Sequence, residues 1–239
     1  MNQVTNAPDA PSADLDADAD TPDGRRRFAL EVWVVVLLGL VSVATAYTSF
    51  QSALYDGMQA AAYSEGQNQQ TEAESLYLEA NQQYMQDAQT LSRLAELRIQ
   101  AESPDPAAAF TAQTSYETLY FMNVSEELGV AIRLADEANG ADPTTYTSPL
   151  DDEDYQASLF GAWAETDEMS EKTIAQGNVY NGYGDRLTLN ATLMAITLFL
   201  LGVAAVVRRE RTKIVLIVIG MTIFVAAAVL TALVPFTWL

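Results

Sequence analysis

EVWVVVLLGLVSVATAYTSF, residues Glu31–Phe50, decides how the rest of the chain is read. From Val32 it runs nineteen residues without a charge. At helical rise that is about 28 Å, close to the hydrocarbon thickness of a bilayer. No proline or other stop signal follows, and the helical pattern continues into a polar, acidic stretch as far as Gln100. The expectation is one helix from Glu31 to Gln100, about 105 Å long, with roughly 70 Å of it beyond the membrane. A lone helix of that length is marginal in water, so it requires something to pack against.

Upstream stand Arg25-Arg26-Arg27, which by the positive-inside rule keep the N-terminus cytoplasmic. Residues 1–27 read as a disordered acidic tail with no apolar periodicity. Within it, Asp14–Asp20 has the alternation of a calcium loop but lacks that loop's glycine and closing glutamate. RRRFAL at Arg25–Leu30 also matches a twin-arginine export signal, with Ala44-Thr45-Ala46 as a cleavage site. Against cleavage, Gly39, Ser42, Ala46, Ser49 and Ala53 keep a three-four spacing straight through that point. They form one small-residue face of the kind that lets helices approach closely in lipid, so the favoured reading is an uncleaved anchor over residues 28–50.

Downstream, Ala73, Leu76, Ala80, Tyr84, Ala88, Leu91 and Ala95 mark an amphipathic helix. Ser64–Glu72 offers little to bury, so it is either solvated all round or packed through Gln and Asn hydrogen bonds. Ser103-Pro104-Asp105-Pro106 ends the helix. Two shorter helices follow, over 107–121 and 125–138, with Ser125 as an N-terminal cap and Asn139-Gly140 as a stop. After a loop over 140–150, residues 154–186 read as a return helix feeding a second apolar run, 187–207. Asp151–Asp154 fits the acidic first turn of that helix better than a weak calcium site. Gly177, Gly182 and Gly184 lie level with Gly57 and Ala60–Ala62, which points either to contact between the two long helices there or to a flexible juxtamembrane joint. Residues 208–213 carry four basic side chains and lead to a third apolar run, 214–234, with a short outer tail, 235–239.

Seven of the twelve basic residues fall at 25–27 and 208–213, which places both in the cytoplasm and residues 51–186 outside. The outer segment holds 24 acids against five bases. The whole chain carries a net charge of -20 with only two lysines, so it repels nucleic acid and anionic lipid. Such a surface suits a host bathed in concentrated salt, where screening removes the self-repulsion; a halophilic archaeon is the expectation. Cysteine and histidine are both absent, which excludes disulfides, thiolate and imidazole chemistry and the usual zinc and haem sets. No metal and no cofactor is expected. The fold expected is all-α: three transmembrane helices with an extended extracytoplasmic helical, coiled-coil-like domain between the first and second.

Few residues suggest chemistry. Glu31, at the cytoplasmic rim, is one helical turn from Arg27 and within reach of Arg208, so an interfacial ion pair is expected. At the outer rim, Tyr47, Gln51 and Asp56 are expected to face Asn181, Asp185, Arg186 and Asn190. That polar cluster would lock two helices together or bind a cation or small polar ligand. Asn123-Val124-Ser125 is a glycosylation sequon on the outer side; Asn190-Ala191-Thr192 matches as well but falls in or against the bilayer. No nucleophile–base pair, phosphate loop or metal spacing is present, and an enzyme is not expected.

In layout the chain resembles a group of uncharacterised prokaryotic three-pass membrane proteins, with one span, a helical outer domain and a closing two-span hairpin. The matching stretches are Glu31–Ala62, with Ala44-Thr45-Ala46-Tyr47, Gln51 and Ala60–Tyr63, and Asn181–Ala195, with Asp185-Arg186 and Leu189-Asn190. Residues 101–150 lie outside the resemblance. It implies the fold and topology and adds no catalytic residue. The function expected is a non-catalytic membrane scaffold or interaction protein of the cell membrane, self-associating or meeting another membrane or surface protein, with lipid around its spans. The alternative is a channel or transporter subunit that uses the outer-rim cluster.

Overall fold

The computed structural model describes residues 22–142 and 144–238, and of residues 22–27 the backbone only. Helices alone build the described chain. They are α1 (Pro22–Ala101), α2 (Pro106–Asn123), α3 (Glu126–Ala141), α4 (Glu153–Val206) and α5 (Glu210–Ala232), with a single 3-10 turn at Pro149–Asp151. Three of them, α1, α4 and α5, are long and apolar enough to cross a membrane. The first helix begins earlier than its sequence suggests. Pro22 sits at its first position, where the missing N–H costs nothing, so Arg25–Arg27 belong to the helix and not to the preceding tail. The helix passes unbroken through Ala44–Ala46.

The caps follow the side chains. Asp105 accepts from Ala107 N at 3.1 Å to open α2, and Ser125 accepts from Leu128 N at 3.1 Å to open α3. Asp152, accepting from Tyr155 N at 2.9 Å, does the same for α4, so Glu153 and Asp154 supply the acidic first turn. Asn139-Gly140 is not a stop: α3 continues through both to Ala141. The side chain of Asn139 instead exchanges two hydrogen bonds with the backbone of Thr147 (2.9 and 2.7 Å), pinning the loop that follows.

The chain divides into two compact units, residues 1–59 with 178–239, and residues 60–177. In the first, α1, α4 and α5 pack through narrow stripes: Val34, Val41, Thr48 and Tyr55 of α1, and Leu187, Asn190, Met194, Thr197 and Leu201 of α4, are all buried. Alternating steps of three and four residues keep one side of a helix facing its neighbour over several turns. Small and hydroxyl residues close the contacts. Ser52 donates to Gly184 O (3.1 Å) and lies 2.9 Å from Thr188 Oγ1, and Thr197 donates to Gly220 O across the α4–α5 contact (3.2 Å). Many of the other apolar side chains of these helices, Val35, Val43, Phe199 and Val218 among them, are exposed, as suits helices whose solvent is lipid.

In the second unit the core is Leu128, Ala131 and Tyr155, surrounded by Tyr84, Leu91, Ile132 and Leu159. Asp87 is buried among them, 2% exposed, and accepts from Tyr155 Oη (2.8 Å) and Gln83 Nε2 (2.9 Å). Burial first, and the bond to Asp87 second, push the Tyr155 phenol well above its ordinary pKa of 10.0. The folded unit therefore holds that proton more tightly than the unfolded chain. This stability is fully present below about pH 10 and is lost as the pH climbs through the raised value. The unfolding free energy measured against pH is expected to fall above about pH 10, and to fall less in Tyr155→Phe, which starts from a lower value.

The polar stretch Ser64–Glu72 meets its neighbour through backbone. Gly66 is buried, its carbonyl accepts from Ser170 Oγ at 2.8 Å, and a Cβ there would fall 2.5 Å from Ile174 Cγ1. Gln67, Asn68 and Gln70 stay exposed, and of the stretch's amides only Gln69 is half-buried. Of the juxtamembrane glycines, a Cβ at Gly177 would meet the Tyr63 ring at 2.6 Å, and one at Gly184 would meet Asp56 Oδ1 at 2.7 Å. Gly57 and Gly182 have open space beside them and take no part in the close approach.

Candidate functional site

The residues expected at the outer rim divide among three places in the first unit. On α1, Tyr47 and Gln51 turn to the C-terminal segment. Gln51 Nε2 donates to Thr237 O and Gln51 Oε1 accepts from Thr237 N, both at 3.3 Å, so a single amide holds both polar groups of one residue. Tyr47 lies parallel to Phe236, with ring centroids 6.4 Å apart. One turn further along, Tyr55 Oη donates to Pro235 O at 2.7 Å, and Thr237 Oγ1 reaches Met58 Sδ at 3.5 Å. Residues 235–238 therefore form a strap laid across α1. Beneath it is a cavity of about 490 Å³ lined by Thr48, Met194, Thr231 and Pro235 among others.

Asn181, Asp185 and Arg186 lie elsewhere, on the more open side of α4. Asn181 Nδ2 donates to Asp185 Oδ2 at 3.4 Å, a long bond between two residues of one helix turn, and Arg186 is exposed. Asp56 is exposed against Gly184. Asn190 is 2% exposed, within the buried α4 stripe. The single locking cluster expected from the sequence is thus three separate arrangements. The physical reason is the 100° step: Leu187, Asn190 and Met194 share the packed side of α4, which turns Asp185 and Arg186 away from it.

No protein-family model, curated protein or solved structure matches this chain.

At the other end of the unit, Glu31 lies 3.9 Å from Lys213 Nζ, and no ion pair to Arg208 occurs among the described residues. The side chain of Arg27 lies outside the described residues. Lys213 buries its stem on the packed side of α5 and brings its ammonium toward Glu31, which is 63% exposed. At that exposure and distance the pair contributes little. The small-residue face of α1 is open throughout: Gly39, Ser42, Ala46, Ser49 and Ala53 are all exposed. It is turned roughly 130° around the helix from Val34, Val41 and Thr48. Asn123 is exposed at the end of α2, and its sequon hydroxyl, Ser125 Oγ, caps α3. Among the described residues no group of acids is arranged to hold a metal.

Sequence reasoning missed Tyr55, Met58 and Thr237. The signal available was Pro235 followed by Phe236 and Trp238: a helix stop and two aromatics that need cover. The strap has a direct check. Losing the Gln51 clamp removes the two weak hydrogen bonds that hold Thr237, which opens this part of the strap more often. Maleimide labelling of Thr237→Cys, in a chain without other cysteines, is expected to run roughly tenfold faster when Gln51→Leu is added.

Proposed function

We propose that this chain is a non-catalytic scaffold of the cell membrane, anchored by α1, α4 and α5, that self-associates through α1 and presents residues 51–186 as an acidic helical body outside the cell. The observation that carries the reading is the exposure of Gly39, Ser42, Ala46, Ser49 and Ala53 together, on a flank of α1 that no other helix among the described residues covers. In lipid there is no hydrophobic force between helices, and small residues bring backbones close enough for packing to hold them. A face of this kind is a suitable seat for a second α1. The basic residues at 25–27 and 208–213 support the orientation, and the acidity of 51–186 suits a medium of concentrated salt, as of a halophilic archaeon. The resemblance to prokaryotic three-pass membrane proteins agrees with this layout.

The test is disulfide crosslinking in native membranes. Ser42→Cys and Ala46→Cys are expected to trap dimers or larger species, whereas Leu40→Cys, exposed on another side of α1, stays monomeric. Monomer at all three positions would overturn self-association through this face.

One observation favours a second reading, a channel or transporter subunit. Asn190 is a buried amide within an apolar helix, and polar groups at such positions often mark a pathway. Ion flux into liposomes would separate the two. Flux lost with Asn190→Leu supports a pathway, and no flux in either protein removes that reading.

A further inference from the structure

Within the unit of residues 60–177, Tyr77 of α1 packs against two aromatic residues of α4. Its ring centroid is 5.3 Å from Trp163 and 5.9 Å from Phe160, and Phe160 stands edge-on to Trp163 at 84°. Three rings at such distances would suit a core, yet these do not enclose themselves. Tyr77 is 43% exposed and Leu78 65% exposed. Tyr77 and Trp163, with Leu78 and Glu74, line a notch of about 410 Å³ open to solvent. The side chain of Glu74, one turn before Tyr77 and Leu78, is exposed and makes no ion pair among the described residues.

The charge around the notch has one sign. Residues 72–79 and 160–167, the two stretches that meet here, carry five acids and no base. The faces of Trp and Tyr rings are themselves negative, and they attract cations that shed water easily. Sodium and potassium keep their hydration shells and gain little from a ring. A methylated ammonium is a large, soft cation with an apolar skin, and it satisfies rings, Leu78 and carboxylate at once.

We infer that this notch binds a small quaternary ammonium ion, with Tyr77 and Trp163 as its walls and Glu74 as its counter-charge. The site is independent of self-association through α1 and adds to the scaffold a ligand of defined chemistry. Anionic and zwitterionic molecules are disfavoured by the surrounding acids.

The probe is tetramethylammonium chloride, added to the full chain in maltoside micelles at constant chloride, with sodium chloride as the balancing salt. Trp33→Phe and Trp238→Phe leave Trp163 as the one tryptophan, excited selectively over the tyrosines. Its emission is expected to change saturably with tetramethylammonium. Glu74→Gln is expected to raise the half-saturation concentration about fivefold, Tyr77→Leu to abolish saturation, and Tyr77→Phe, which keeps the ring, to preserve it. Saturation-transfer NMR on the chain with all its tryptophans provides a second reading, with tetramethylammonium methyls receiving signal from aromatic protons. A response that is linear in tetramethylammonium, or Glu74→Gln and Tyr77→Leu proteins that titrate like the parent, would overturn the site.

Discussion

Tyr155→Phe is expected to destabilise the 60–177 unit by about 3 kcal/mol, far more than the loss of one hydroxyl from a surface. The hydroxyl it removes is the donor to Asp87 Oδ2, and Asp87 is 2% exposed with only Gln83 left to satisfy it. A buried carboxyl deprived of a donor costs more than the net value of the bond itself. Asp87→Leu leaves the opposite defect, a buried phenol with no acceptor, and is expected to cost about 2 kcal/mol. The double substitution replaces both partners by apolar groups, so it is expected to cost clearly less than the two singles added together. Thermal or urea unfolding of the four proteins measures this. Additive losses would show that the two groups act separately.

The second large effect concerns a place in the same unit where α1 and α4 approach closely. Gly66→Leu would put carbon 2.5 Å from Ile174 Cγ1 and 3.3 Å from Ile174 N. The side chain of Ile174 can turn aside, but its backbone cannot, so the helices must separate and the Ser170–Gly66 bond is lost. A loss of about 3 kcal/mol or more is expected, at the upper end for overpacking. Gly161→Ala is the informative contrast. It lies in α4 with nothing within 4 Å of its would-be Cβ, and is expected to stabilise by about 0.5–1 kcal/mol because alanine orders more cheaply in a helix. Equal effects at the two sites would remove the close-approach explanation.

These contrasts also show how far the sequence could be read. The long helices were legible because their signals are local and repeated: nineteen uncharged residues after Glu31, apolar steps of three and four from Ala73 to Ala95, and prolines at 104 and 106. Ser125 was legible as a cap because capping depends on only four residues. Asn139-Gly140 misled because a strong stop signal was overridden by a tertiary use of the Asn139 side chain, which reaches eight residues ahead to Thr147. Gly66 was hidden for a different reason. A close backbone approach leaves no apolar residue to announce it, so SEGQNQQTE looked like a stretch with nothing to bury. The outer-rim cluster was half legible. Its residues are near one another along the helices, but the direction of each depends on helix rotation, and the strap that engages Tyr47 and Gln51 comes from the far end of the chain.

The orientation of the chain in its membrane is the claim on which the proposed function rests, and the absence of cysteine makes it directly measurable. Single cysteines introduced by Ser75→Cys, Ala108→Cys and Thr212→Cys can each be exposed to a membrane-impermeant maleimide on intact cells. The expected result is labelling of the first two and none of the third until the cells are lysed. Labelling of the Thr212→Cys protein alone on intact cells would place the acidic unit inside and contradict the account.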